Sequence, residues 1–256
     1  MCQKQKPCFF PQRNENYPEL YINDTKIQFV ADFNFLGIIL NENLKWKSHE
    51  NMVAKKISKT IGVMARLKNV LPVNVLRNIY NALILSHLNY GNIIWGTCKT
   101  YLFKLQKKAV RIIKKTKYNA HTTPLFKDLK LLKLEDLCAL HDFKFCFKFC
   151  NSILPSYFLT DMLNRITGNI ASYDTRQTAT FRLPAVSHDF ANHSIKYRLP
   201  LLLNNIDNIF KSKIHTHSFD GFKLYIKRTL IHIFLHVTSK TVISVVARVS
   251  GIVLNC

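Results

Sequence analysis

Glycine and acidic residues are scarce in this sequence. Only 7 of its 256 residues are glycine, which argues against a turn-rich all-β sandwich and favours helices joined by short polar loops. Aspartate and glutamate total 15 against 37 lysines and arginines, for a formal net charge of +22. Residues 51 to 127 hold fifteen of those cations and no acid at all. This excess predicts a polyanionic partner, namely RNA, DNA or an anionic membrane surface, and the alternative is a lysine-rich face that only meets water.

The sequence also lacks the marks of a secreted or membrane protein. Its 7 cysteines are odd in number, scattered and without a C-x-x-C pair, which predicts reduced thiols rather than a disulfide framework. Residues 1–10 contain no apolar run of the kind that signal peptides need. Charged residues and histidines interrupt the apolar stretch 229–256, so we expect no membrane span there. Together these features predict a protein of the nucleus or cytoplasm that is not secreted.

Motifs for catalysis are missing as well. There is no G-x-S-x-G, no H-E-x-x-H and no glycine-rich phosphate loop. A polymerase or nuclease that works through two metal ions needs converging carboxylates, yet the sequence contains no Asp-Asp pair. The adjacent acids Glu135-Asp136 open a predicted helix, where the helix dipole alone favours them. We therefore expect no catalytic residue in this chain.

The cysteines and histidines do not predict a metal site. Cys138, His141, Cys146 and Cys150 share one predicted helix, but only Cys146 and Cys150 fall on the same row of it. Four ligands along one helix cannot surround zinc as a tetrahedron, so buried free cysteines are the favoured interpretation. Three further histidines lack an orienting partner and are interpreted as capping or hydrogen-bonding residues: His49, His87 and His121. We expect no metal ion and no cofactor in this chain.

Apolar spacing predicts a mainly α fold with a small β-sheet remnant at the N-terminus. Segments 19–22 and 26–30 form an extended pair around a turn, and Phe33–Leu40 is predicted as a buried strand. Helices are predicted over about 48–70, with Ser48 as its cap, and over 74–90, 102–118, 125–129, 134–150 and 218–228. The 74–90 helix is apolar nearly all round and is predicted to be buried. The predicted domains are 1–46 (β segment), 47–170 (basic helical domain) and 171–256 (a mixed, less regular C-terminal region).

The segment 102–118 carries the densest positive charge. As a helix, it places Leu102, Leu105, Ala109, Ile112 and Ile113 on one side, and cations on the other. We expect the apolar side to pack on the 74–90 helix and the basic side to meet phosphates. The predicted nucleic-acid-binding residues, from this helix and from the 48–70 helix, are Lys55, Lys59, Arg66, Lys104, Lys107, Lys108, Arg111, Lys114 and Lys115. The aromatic residues placed to stack on bases are Tyr101, Phe103 and Tyr118.

Several ordered motifs resemble the C-terminal part of non-LTR retrotransposon reverse transcriptases, of the jockey-like and CR1-like groups. They are F-L-G at 35–37 with Trp46 and His49, the H-x-x-Y-G-x-x-x-W-G block at 87–96, L-Q-K-K-A-x-R-I-I at 105–113, H-T-x-P-L-F at 121–126 and Y-x-T-R at 173–176. The resemblance covers about residues 9 to 228. Departures are Tyr197–Asn204, where the family often has a Gly-Pro and a Trp-Asn, and the residues after about 230, which match nothing in the family.

The resemblance implies that 1–46 is the end of a palm and that 47–170 is a thumb-like domain that grips a template–primer duplex of RNA and DNA. It further implies that the metal-binding carboxylates lie in parts of the polymerase absent from this sequence, with Mg²⁺ expected only for the complete enzyme. The chain is thus expected to be a truncated fragment of an RNA-directed DNA polymerase, inactive alone, that binds nucleic acid or associates with a complete element's polymerase. The alternatives are a non-functional structural remnant, a generic basic nucleic-acid-binding protein and a basic protein of the membrane surface.

Overall fold

The computed structural model is mainly helical with a small β region near the N-terminus, as the sequence predicts. It describes residues 8–9, 19, 21–22, 25–26, 28–96, 100–167, 181, 183–185, 194–206 and 208–233. The helices are α1 (Lys47–Leu67), α2 (Val73–Ile79), a π-helical turn (Tyr80–Leu85), α3 (Ser86–Asn89), α4 (Asn92–Trp95), α5 (Thr100–Ile113), α6 (Thr122–Asp128), α7 (Leu134–Cys150), α8 (Ser156–Thr167), α9 (Ile195–Asn205), α10 (Asn208–Thr216) and α11 (Phe219–Ile233).

The β region consists of short strand pairs. They are β1 (Cys8–Phe9) parallel to β4 (Gln28–Phe29), β2 (Tyr21–Ile22) antiparallel to β3 (Thr25–Lys26), and β5 (Asp32–Phe35) antiparallel to β6 (Ile38–Asn41). The β2–β3 pair confirms that two short extended segments pair here, and residues 23–24 of the predicted turn lie outside the described residues.

The predicted buried strand over Phe33–Leu40 is wrong, because the chain reverses in its middle. Leu36 and Gly37 both have positive φ, of 47° and 80°, which is the backbone that a two-residue hairpin turn requires. Phe35 and Leu36 are exposed at the tip of this hairpin. An apolar run of this length does not distinguish one buried strand from two shorter strands, since both satisfy the same pattern.

Helix α1 begins beside this hairpin. Ser48 was predicted to cap the helix, but its hydroxyl instead donates to Asp32 Oδ2 at 2.9 Å, so it ties the helix start to β5. Glu50 in the first turn lies 3.7 Å from Lys47 Nζ and has the charge that the helix N-terminus favours. Apolar residues at steps of three and four form the buried face of the helix: Val53, Ala54, Ile57, Ile61 and Met64.

The predicted 74–90 helix is continuous but changes geometry in its middle. Its fully buried residues recur every fourth position: Leu76, Tyr80, Ile84 and Leu88. On an α-helix such a row drifts by about 40° per step. The wider π-helical turn at Tyr80–Leu85 counteracts this drift, so the row stays on one side. The opposite side is exposed, with Leu83 at 50%, and the prediction of burial all round is wrong.

Three helices end in the same hydrogen-bonded turn without a glycine. At the end of α5, the amides of Lys115 and Thr116 donate to carbonyls of the last helical turn, each at 3.1 Å. Lys115 is left-handed there, with φ 53°, and Lys130 and Ser152 occupy the same position after α6 and α7, with φ 51° and 54°. Glycine normally fills this position because it lacks a Cβ, so the scarcity of glycine in this chain leaves three strained residues at helix ends.

The C-terminal helices α9, α10 and α11 pack onto α7. The rings of Phe147 and Phe222 are 4.9 Å apart, and Arg198 on α9 donates to both carboxylate oxygens of Asp142 at 2.7 Å. The sequence predicts one helix after residue 171, whereas the described residues of that region form three, α9 to α11. Pro200 inside α9 hid that helix from the sequence pattern. The domain boundaries at 46 and 170 remain a prediction.

Candidate nucleic-acid interface

Helix α5 has one buried and one basic side. Its most buried residues are Leu102, Gln106, Ala109, Val110 and Ile113. Leu105 and Ile112, which are predicted to lie on the apolar side, are only partly buried. The helix packs mainly on α1, with a smaller contact to α2. The predicted packing of α5 on the 74–90 helix is therefore only the smaller of the two contacts. The larger contact is with α1, whose apolar stripe is longer.

Gln106 anchors the buried side of α5. Its Nε2 donates to Tyr80 Oη at 2.9 Å and to the Leu132 carbonyl at 3.0 Å, while its Oε1 accepts from the Leu134 amide at 3.0 Å. The Leu134 amide belongs to the first turn of α7, where no carbonyl within the helix is available to it. One side chain thus links α5 to the π-helical turn and to the start of α7. Because glutamine is polar, the sequence gave no indication that this side chain would be buried.

The basic segment is shorter as a helix than predicted. Helix α5 ends at Ile113, so Lys114 and Lys115 lie in the turn that follows it rather than on its basic side. Lys114 Nζ forms an ion pair with Asp128 Oδ2 at 3.2 Å. Lys115 has a left-handed backbone conformation, and the residue is exposed. The spacing of apolar and basic residues that predicts the helix continues past residue 113, but the helical hydrogen bonds do not.

Two of the predicted cations on α5 are held by the protein. Lys107 Nζ lies 4.2 Å from the centroid of the Phe103 ring, and Arg111 Nε donates to the Ala120 carbonyl at 2.9 Å. Both side chains are partly buried. Phe103 also packs toward Phe126, so this ring is not presented for base stacking. The exposed aromatic side chains of the segment are Tyr101, at 45%, and Tyr118, at 84%.

The other six predicted cations are exposed: Lys55, Lys59, Arg66, Lys104, Lys108 and Lys115. On both α1 and α5 the basic stripe lies opposite the buried face, as steps of three and four residues require. In the part of the chain that the structure describes, none of the six has an ion-pair partner. Their charges therefore face the solvent without neutralisation.

Lys56 is an exposed cation that the sequence reasoning missed. It lies close enough to His49 and His87 for its charge to lower their pKa values further, although burial is the larger cause in each case. It extends the positive surface of α1 toward α3. The feature of the sequence that could have identified it is its position next to Lys55 in a stretch without acidic residues.

The motif residues of the N-terminal half have structural roles. His49 Nδ1 accepts from the Ile39 amide at 3.3 Å, and its ring meets the edge of the buried Trp95 ring at 5.1 Å. Trp95 Nε1 donates to the Tyr90 carbonyl at 2.7 Å. Gly91 has φ 60°, and a Cβ there would lie 2.6 Å from Ile38. These residues fasten the β5–β6 hairpin to α1 and α4, and thus position the start of the basic helix α1.

Among the described residues, no group of three or more His, Cys, Asp or Glu side chains is arranged to hold a metal ion. The side chains of Cys138 and Cys146 are buried, and Cys138 Sγ donates to the Gly96 carbonyl. Asp136 accepts from the Lys133 amide at 3.2 Å and so serves the start of α7, as its place in the sequence suggested. In the part of the chain that the structure describes, no helix is both long enough and apolar enough to cross a membrane.

Comparison with known proteins gives one informative similarity. No protein-family model matches the chain, and no solved structure matches it. Over 134 residues, half of this chain, it is 28% identical to the RNA-directed DNA polymerase from mobile element jockey of Drosophila melanogaster. That stretch is 15% of the length of the jockey protein. The chain is thus distantly similar to a small part of a retrotransposon RNA-directed DNA polymerase.

Proposed function

We propose that this chain corresponds to the thumb and the following region of a non-LTR retrotransposon reverse transcriptase, and that it binds template–primer nucleic acid through α1 and α5. The proposal includes the end-of-palm assignment of residues 1–46, which rests on the resemblance of this segment, with its F-L-G motif at 35–37, to the family. Both the jockey-like and the CR1-like groups fit the motifs of the chain. The similarity to the jockey polymerase supports a polymerase origin, and the helical core supplies rigid elements for a binding surface.

The observation that carries the proposal is the set of six exposed cations on α1, on α5 and in the turn after α5, which have no carboxylate partner among the described residues. Lysine and arginine contacts to phosphate give affinity without reading sequence, which is what a polymerase needs from the part that holds its duplex. A surface that only keeps a protein soluble is served as well by mixed charges. The absence of acids from residues 51 to 127 goes beyond that requirement.

Charge reversal on α5 tests the proposal. Lys104→Glu with Lys108→Glu changes two exposed residues four positions apart. We expect affinity for an RNA–DNA duplex to fall at least about tenfold, because two phosphate contacts become repulsive. Lys223→Glu with Lys227→Glu is the matched control, with the same spacing and charge change on exposed residues of α11. Equal losses in both variants, or none in either, would favour a generic basic protein or a remnant that does not bind.

We also propose that the chain does not polymerise DNA on its own. Its sequence has no Asp-Asp pair, and its one adjacent acidic pair, Glu135-Asp136, serves the start of α7. Mg²⁺ is then a cofactor of the complete polymerase only. A primer-extension assay with Mg²⁺, an RNA template and a DNA primer should yield no product. Extension by the purified chain would overturn this part of the proposal without affecting the binding surface.

A further inference from the structure

A pocket of about 260 Å³ opens between α5, the segment before α6 and the start of α7. The pocket is distinct from the stripe of exposed cations on α1 and α5, because the cations that line the pocket are partly buried. Its lining residues include Phe103, Lys107, Arg111, Ala120, Thr123 and Lys133. None of them is acidic, and three are cations from two different helix regions.

Two of these cations are fixed in direction by the protein. The Phe103 ring lies against Lys107 Nζ, and the Ala120 carbonyl accepts from Arg111 Nε. The bond from Nε orients the guanidinium and leaves its terminal nitrogens for another acceptor. Tyr118 flanks the same guanidinium, with 6.0 Å between the ring centroid and Cζ. Side chains held in this way lose little further entropy when an anion binds.

Lys133 brings the third charge, from the residue that precedes α7. Burial lowers the pKa of Lys133, and the charges of Lys107 and Lys127 lower it further, while Asp136 and Glu135 act in the opposite direction. Asp136 and Glu135 affect Lys133 more strongly than Lys107 does, so these carboxylates already offset the repulsion between the two lysines. Lys107 and Lys133 nevertheless line the same pocket, where an anion would be attracted to both.

We propose that this pocket binds a phosphate group, with Lys107, Arg111 and Lys133 as its cationic donors and the Thr123 hydroxyl as a neutral one. Arginine and lysine donors suit a tetrahedral oxyanion, since an arginine fork can engage two of its oxygens. One water occupies about 30 Å³ of liquid, so the cavity accommodates a phosphate together with several waters. The proposed function supplies the source of that phosphate, a nucleic-acid strand, and the inference rests on it for this point alone.

Phosphate binding in the pocket and phosphate binding on the exposed surface predict different effects of substitutions. A phosphate held by three cationic donors, two of them fixed by the protein, depends strongly on each of them, whereas a stripe of exposed lysines loses its affinity gradually. Lys133 distinguishes the two sites, because it lines the pocket and takes no part in the stripes of α1 and α5. Its substitution should weaken phosphate binding without changing the exposed surface.

The test uses the full chain and two probes. The first is inorganic phosphate, added at constant ionic strength against chloride, with the thermal unfolding midpoint as the measure. The second is an RNA–DNA duplex with either a 5′-phosphate or a 5′-hydroxyl end, followed by fluorescence anisotropy. The variants are Lys133→Met and Lys107→Met, which keep most of the aliphatic stem, and Lys227→Met on α11 is the matched control.

Phosphate should raise the unfolding midpoint of the wild type and of Lys227→Met but not of the two pocket variants. Duplex affinity should fall about fivefold to tenfold in the pocket variants. A loss confined to the 5′-phosphate duplex would identify a terminal phosphate, and an equal loss for both duplexes would identify the backbone.

The pocket proposal is overturned if the pocket variants and the control respond alike to inorganic phosphate. That result, with duplex binding still sensitive to Lys104→Glu and Lys108→Glu, would leave the proposed function intact. Conversely, a phosphate response that needs Lys133, in a chain that does not bind duplex, would retain the pocket and refute the proposed function. Lys107→Met keeps the test decisive if Lys133→Met does not fold.

Discussion

Replacing Gln106 with leucine should destabilise the fold that presents the basic helices. Leucine has nearly the same size, so little packing volume changes. The substitution removes three hydrogen bonds and leaves the Tyr80 hydroxyl, the Leu132 carbonyl and the Leu134 amide without their partner. Burial raises the pKa of Tyr80 to about 12, so the phenol stays neutral and cannot recover the loss by ionising.

The magnitude follows from these contacts. Each hydrogen bond contributes about 1 kcal/mol net, which makes about 3 to 4 kcal/mol for three bonds that leave buried groups unpaired. Burying a leucine in place of the amide returns about 1 kcal/mol. The free energy of unfolding should therefore fall by about 2 to 3 kcal/mol, which for a chain of this size lowers the unfolding midpoint by about 5 to 10 °C.

Chemical denaturation followed by circular dichroism measures this change. Tyr80→Phe is the comparison, because it removes only one partner and leaves Gln106 bonded to Leu132 and Leu134. We expect it to cost about 1 kcal/mol, and the two substitutions to be less than additive when combined. A Gln106→Leu variant that is as stable as the wild type would refute the role given to this network.

Three further predictions concern stability. Asp142→Ala should destabilise the chain by about 3 to 5 kcal/mol in urea denaturation, because it leaves the buried Arg198 charge unpaired. Burial lowers the pKa of His141 from 6.5 to about 4, so the unfolded state takes up the proton first. Stability should be intact above pH 6.5 and fall by about 3 kcal/mol as the pH drops toward 4, and His141→Gln should flatten that part of a stability–pH curve. Lys115→Gly should raise the unfolding free energy by about 1 kcal/mol by removing left-handed strain, and Ser152→Gly should do the same without weakening duplex binding.

Helix α7 shows what the sequence was able to predict. Its bounds, Leu134–Cys150, match the prediction, because an acidic first turn, a long apolar stretch and a polar break at Asn151 all agree. The alternating phenylalanines permitted a strand, but the flanking residues favoured a helix. Local signals that point the same way give reliable boundaries.

The predictions from sequence failed where tertiary contacts determine the structure. Gln106 is polar and yet fully buried, because its partners come from segments 26 and 28 residues away in the chain. Lys115 ends α5 in a backbone conformation that its residue type does not favour. For the candidate site, the sequence predicted the six exposed cations but not the engagement of Lys107 and Arg111, which depends on Phe103 and on the loop after α5.

The salt dependence of duplex binding tests the central claim most directly. If α1, α5 and the turn after α5 hold a duplex through the six exposed cations, the logarithm of affinity should fall with the logarithm of salt concentration with a slope of about −5. From 50 to 200 mM salt this is a loss of about a thousandfold. Lys104→Glu with Lys108→Glu should reduce the slope by about 2, while Lys223→Glu with Lys227→Glu should leave it unchanged. A flat salt dependence, or one that the two paired variants alter equally, would contradict the account.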